Sequence, residues 1–146
     1  MDVTIEQVTT EHPYYQQVYD LREEVLRKPI GRSLKDEDPG ADKLDIIIVA
    51  LDTEKVIGCL MLHATNNPTV IKLRQMAVNP YWQGKGIGRK LVMVAEELLG
   101  HKQINKIILH ARVTAIDFYR KLGYTVTSGT FIEVGIPHVE MEKQLR

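Results

Sequence analysis

Apolar residues recur along this chain in short runs of two different spacings, and the spacing separates helix from strand. Val3, Ile5 and Val8 mark a first strand. Pro13 then suits the first turn of a helix whose apolar set, Tyr14, Val18, Leu21 and Val25, steps by three and four residues and should stop before Pro29. Residues 28–45 are polar and broken by Gly31, Pro39 and Gly40, which predicts a long loop. Three β-rich runs follow, Ile46 to Leu51, Val56 to His63 and Val70 to Val78. The turn sequences Asp52-Thr53-Glu54-Lys55 and Thr65-Asn66-Asn67-Pro68 separate them and predict an antiparallel meander. Ile87, Leu91, Val94, Ala95 and Leu98 return to helical spacing, with Gly100 as a stop. Lys106 to His110 reads as a buried strand. Thr114-Ala115-Ile116-Asp117 has the form of a capping box opening a short helix that Gly123 ends. Two strands close the chain, Tyr124 to Thr127 and Pro137 to Lys143. The predicted fold class is α/β (α+β): one domain over residues 1–146, with a mixed, mostly antiparallel central sheet flanked by helices and one crossover after a glycine-rich turn.

Composition narrows the function classes. The chain is 44% hydrophobic and 26% charged, enough to build a core and keep it in solution. Nineteen basic residues balance nineteen acidic ones, so no long-range positive field is present to attract nucleic acid. No apolar run approaches the length of a membrane span, and Met1 to Glu6 lacks the features of a secretion signal, so a cytoplasmic location without membrane partners is expected. Cys59 is the only cysteine and sits among Gly58, Leu60 and Met61, which reads as a buried structural thiol.

The chemistry concentrates at Gln83-Gly84-Lys85-Gly86-Ile87-Gly88, where a strand hands over to a helix. A helix start presents unpaired N–H groups and the positive end of the helix dipole, and glycines let an anion approach them closely. Lys85, Arg89 and Lys90 add local charge. The order is wrong for a P-loop, because Gly86 rather than Ser or Thr follows Lys85. It is also wrong for a dinucleotide fingerprint, because Arg89 stands where the third glycine belongs. What remains is Gln-x-x-Gly-x-Gly. Together with Met76-Ala77-Val78-Asn79-Pro80 before it and Ala115-x-x-Phe118-Tyr119 running to Gly123-Tyr124 after it, the pattern resembles the GCN5-related N-acetyltransferase (GNAT) superfamily. Phe131 to His138, followed by Met141, is similar to a bacterial, YjcF-like acyltransferase branch of it.

The resemblance implies the acyl-CoA N-acyltransferase fold, acetyl-CoA as co-substrate, no metal, and direct acetyl transfer to a primary amine of a small molecule or peptide. Cofactor contacts carried over are Met76, Ala77 and Val78 on a bulged fourth strand, and Gln83, Gly84, Lys85, Gly86, Ile87, Gly88 and Arg89 around the pyrophosphate. Tyr119 takes the place of the proton donor to the CoA sulfur, although packing alone would also account for an aromatic there. An asparagine that many members carry near this helix is missing, leaving Arg112 or Thr114 as substitutes. For the general base the candidates are Glu133 and His138, with His63 and His110 behind them. Asp36, Glu37 and Asp38 read as a solvated acidic cluster. A non-catalytic acyl-CoA sensor and a nucleotide-binding protein are the competing functions. An exposed final strand could pair with a second copy to give a homodimer.

Overall fold

The computed structural model describes residues 3–37 and 39–145. Eight strands form one sheet: β1 (Val3–Val8), β2 (Ile46–Asp52), β3 (Lys55–Ala64), β4 (Val70–Val78), β5 (Lys106–Arg112), β6 (Thr125–Val126), β7 (Phe131–Glu133) and β8 (Ile136–Gln144). Their order is β1-β2-β3-β4-β5-β8-β6, with β7 also on β8. β4 and β5 run parallel, and every other pair described is antiparallel. Helix α1 (Tyr15–Arg22) covers one face, while α2 (Ile87–Gly100) and α3 (Ile116–Lys121) cover the other.

This two-sided cover explains why β2 and β3 read as continuous apolar runs rather than alternating ones. Ile48, Ala50, Leu60 and Leu62 face the α2 side, whereas Ile47, Val49, Cys59 and Met61 face α1. Gly58 in β3 is required by contact: a Cβ there would lie 3.0 Å from Cγ2 of Ile87 and 3.1 Å from Cδ1 of Leu91. Cys59 is fully buried as expected, and burial pushes its thiol up to about 12.

The first helix ends before Pro29, as expected: α1 stops at Arg22, a π turn carries the chain over Glu23–Arg27, and Pro29 sits in the first turn of a separate 3-10 segment (Lys28–Ile30), where an N–H has no partner to lose. Three expectations are corrected. The buried face of α2 is Ile87, Leu91, Val92, Ala95 and Leu99, with Val94 exposed, because contact with β3 and β2 rotates the helix from the face that periodicity suggested. No capping box forms at Thr114, which lies inside a 3-10 turn (Val113–Ala115) and leaves α3 without a side-chain cap. The last strand is no exposed edge: β8 pairs with β5 on one side and with β6 and β7 on the other. No described helix is long and apolar enough to cross a membrane.

Candidate functional site

Gly84 and Gly86 adopt left-handed backbone angles, φ +76° and +83°, and nothing stands within 4 Å of where a Cβ would be. Only glycine holds this conformation without strain, so the two residues let the chain turn sharply into α2. Gly86 is the N-cap of that helix and, having no side chain, leaves the first-turn N–H groups uncapped. Gly88 has a different reason: a Cβ there would meet Cζ of Phe118 at 3.1 Å, so its absence lets α3 close on α2. Gln83 donates from Nε2 to the carbonyl of Val78 at 3.0 Å, bracing the turn. Lys85 rests its ammonium over the ring of Tyr81, 4.3 Å from the centroid. Ile87 is buried, so it can offer a ligand only its N–H; Lys85 and Arg89 are exposed.

Alongside, the sheet opens. β4 and β5 are paired only from Val70 to Leu73, against Lys106 to Leu109. Beyond Leu73 the register of β4 against β3 slips between Arg74 and Ala77, where Gln75 takes φ +56°. The extra residue is a β-bulge, which breaks the hydrogen-bond ladder and re-aims the strand. Met76 emerges from the bulge into a cavity of about 370 Å³ between the parted strands. Ala77 is buried against the α1 face, and Val78 packs on the α2 side, so the contribution of both toward the gap is backbone. The bulge is fixed from behind, where Gln75 accepts from Nε of the buried Arg22 at 3.2 Å.

Tyr119, Glu133 and His138 line the same cavity as Met76. Tyr119 is packed edge-on between Phe118 and Tyr124, and burial holds its phenol well above the usual range. His138 is 4% exposed and its Nδ1 lies 2.9 Å from the carbonyl of Ile136, which can only accept. Nδ1 therefore carries a hydrogen, and Nε2 is the ring nitrogen turned toward Glu133, 3.8 Å from Oε2. The other carboxylate oxygen is 2.8 Å from Nδ1 of His110. That nitrogen donates to Glu133 rather than accepting from Lys72, whose ammonium is farther off at 3.4 Å. Burial alone would raise the pKa of Glu133, but the hydrogen bond from His110 and the charges of His110, His138 and Lys72 outweigh it and hold the carboxyl below its ordinary value.

β7 and β8 hold these groups by a hairpin whose two turn residues, Val134 and Gly135, both have positive φ, +47° and +80°. Val134 in that conformation is a strained, β-branched residue, and it forms part of the cavity wall. His63 is elsewhere, paired with the buried Asp45. Glu37 is not merely solvated: it accepts from Nε and Nη2 of Arg27 and lines the cavity with it, while Asp36 is exposed and Asp38 lies outside the described residues. Thr114 is exposed and does not line the cavity; Arg112 does. Arg27, Lys72 and Gln75 were beyond sequence reasoning, since each is a polar residue in a region whose pattern signalled only loop or strand.

A family model described as the acetyltransferase (GNAT) domain matches residues 9–145. The uncharacterized N-acetyltransferase YjcF of Bacillus subtilis (strain 168) is 29% identical over 124 residues, which cover 84% of this chain and 87% of that protein. The B. subtilis protein YyaT is 36% identical over 74 residues, and that match spans 51% of this chain and 50% of YyaT. Among solved structures, a candidate N-acetyltransferase from Lactobacillus plantarum superposes over 100% of both chains with a TM-score of 0.87 and 28% identity. An aminoglycoside 6'-N-acetyltransferase complexed with coenzyme A superposes over 98% of this chain and 97% of its own, with a TM-score of 0.82 and 18% identity, a likeness of fold.

Proposed function

The chain belongs to the acetyltransferase (GNAT) domain family, and on that premise we propose that residues 1–146 act as one domain that transfers the acetyl group of acetyl-CoA directly to a primary amine. The observation that carries this reading is the meeting, in one cavity at the parted strands, of the β4 bulge, Tyr119 and the Glu133–His138 pair.

The turn into α2 fits a pyrophosphate. Its N–H groups are uncapped, Gly84 and Gly86 leave open space where side chains would stand, and Lys85 and Arg89 bring cations to the rim. Acetyl-CoA supplies the thioester carbonyl that an amine attacks. In this assignment the backbone around Met76 and Val78 offers donors freed by the bulge, which favour the negative charge that grows on that carbonyl oxygen.

Two proton transfers belong to side chains. The acceptor arrives as an ammonium and must lose a proton before its nitrogen forms the new C–N bond. His138 takes this role, since Nδ1 is held by Ile136 and Nε2 is left to take the proton, and Glu133 stabilises the imidazolium that results. Glu133 itself, held below its ordinary pKa, is a weak base and a persistent anion. As the C–S bond breaks, the phenol of Tyr119 donates toward the sulfur. Burial keeps that phenol protonated, and the same dry surroundings destabilise a departing thiolate, so the two affinities for the proton rise together.

Release of free CoA thiol from acetyl-CoA in the presence of a panel of primary amines tests this. Amine-dependent thiol release is expected. Tight binding of acetyl-CoA without turnover of any amine would instead identify a non-catalytic acyl-CoA sensor.

A further inference from the structure

Almost every charge lining the cavity is matched by another. Arg27 is tied to Glu37, and Arg74 reaches Asp42 and Asp45 at 3.0 and 2.7 Å. Glu133 contacts His110, faces His138 and lies in the field of Lys72. Among the described residues, Lys72 has no ion pair of its own but sits against His110 beside Glu133, whereas Arg112 has no such anion near it. Its Nη2 donates to the carbonyl of Leu26 at 2.7 Å, a dipole rather than a charge, and no carboxylate among the described residues lies within ion-pair distance of it. Burial and the neighbouring Arg27 both weigh against the charged form of this guanidinium, which marks a locally positive, poorly hydrated site that gains from an anion.

Its position relative to the acid–base pair is defined. Arg112 is the last residue of β5 and stands directly opposite His138 on β8, with His110 two residues earlier on the same face. Directly paired residues point to the same face, and both side chains line the cavity of about 370 Å³, so a ligand held there can meet both. An α-amino acid carries nitrogen and carboxylate on one carbon, and a β-amino acid on adjacent carbons. Either one bridges the two sites, with its carboxylate on Arg112 and its amine at His138. A polyamine or a lysine side chain lacks this anion, and a polyamine would add a second cation beside an unmatched guanidinium.

Resting on the N-acetyltransferase reading above, we infer that the acceptor is a small amino acid whose carboxylate is held by Arg112 while its amine faces His138. Arg112 is thus a specificity-determining residue, and the paired guanidinium N–H groups left over from Leu26 are what recognise the anion.

The test compares thiol release with L-amino acids and β-alanine against their carboxamides and against simple alkylamines. These are assayed with the wild-type chain, Arg112→Gln and Arg112→Lys, after acetyl-CoA binding by each variant has been verified. The free acids are expected to exceed their amides by about 10-fold or more in kcat/KM, the effect of one charge-assisted bidentate contact. That ratio should fall to near one in Arg112→Gln and be kept in part by Arg112→Lys. Amides or alkylamines turned over as well as the acids would overturn the inference and leave the acetyltransferase reading standing. A preference for acids that survives Arg112→Gln would overturn the assignment to Arg112. No turnover of any amine, with acetyl-CoA bound, would overturn the acetyltransferase reading, and this inference would fall with it.

Discussion

At the residue scale, Tyr119 separates packing from chemistry. Its ring is enclosed by Phe118 and Tyr124, so Tyr119→Phe keeps nearly all of the buried surface and removes only the phenol. If the phenol protonates the leaving sulfur, kcat should fall by about 10²-fold or more while the KM for acetyl-CoA and the melting temperature stay close to wild type. Steady-state kinetics beside a thermal melt check this, and an unchanged kcat would reduce Tyr119 to a core aromatic. Because burial holds the phenol above its ordinary range, its titration should impose no loss of kcat between pH 7 and about 9. Legibility differed sharply from residue to residue. Gly84 and Gly86 could be found because left-handed angles select glycine, a visible signature. The bulge uses the same angle at Gln75, where a hydrogen bond from Arg22, 53 residues away in sequence, supports it, and no local pattern reports that.

At the element scale, the site depends on how closely α2 lies on β3. Gly58 is the point of nearest approach, and the side chains it faces, Ile87 and Leu91, are both buried and have little room to move. Gly58→Ala should therefore destabilise the protein by about 1–3 kcal/mol, as overpacking does, in spite of the gain in strand propensity. Urea denaturation measures it, and a neutral substitution would mean that α2 slides outward freely. Since Ile87 opens α2 beside the glycine turn, the same variant should weaken acetyl-CoA binding. Elements were legible where a period repeats and poorly so where contact decides. The α2 helix was found, but its buried face was set by β3 and β2 rather than by its own spacing. The strand Phe131–Glu133 was missed because three residues are too few to display a period. β8 was expected at an edge because the pairing order of a sheet is not written in any one strand.

At the scale of the whole molecule, one buried polar network joins the first helix, the loop of residues 28–45 and the sheet behind the site. Asp42 is its centre. It accepts from the Tyr15 hydroxyl, from Nη1 of Arg22 at 2.7 Å and from Nη2 of Arg74 at 3.0 Å, while Arg22 also holds Gln75 and Arg74 also holds Asp45. Burial by itself would raise the pKa of Asp42, but the hydrogen bonds from Tyr15 and Arg22 and the charges of Arg22 and Arg74 hold it below the usual carboxylate range. A carboxyl lowered on folding adds stability that is complete above about pH 4 and is lost as pH falls through the folded value. Tyr15 moves the other way, pushed up to about 12 by burial and by Asp42, so its contribution is complete below about pH 10 and is lost as pH climbs toward 12. Stability should therefore form a plateau between these limits with a shoulder at each end. Asp42→Asn should lower the plateau by about 3–5 kcal/mol, because Arg22, only 3% exposed, would be left charged without its counter-ion. It should also remove the acid shoulder, since the acid group is gone, and shrink the alkaline one, since the phenol stays buried but loses the anion beside it. Urea midpoints across the pH range measure both effects. Because Arg22 fixes Gln75 as well as Asp42, the variant should also lose kcat when assayed well below its melting temperature, the sign that the bulge has relaxed. Full activity in a destabilised Asp42→Asn would show that the network supports the fold and leaves the bulge to hold itself.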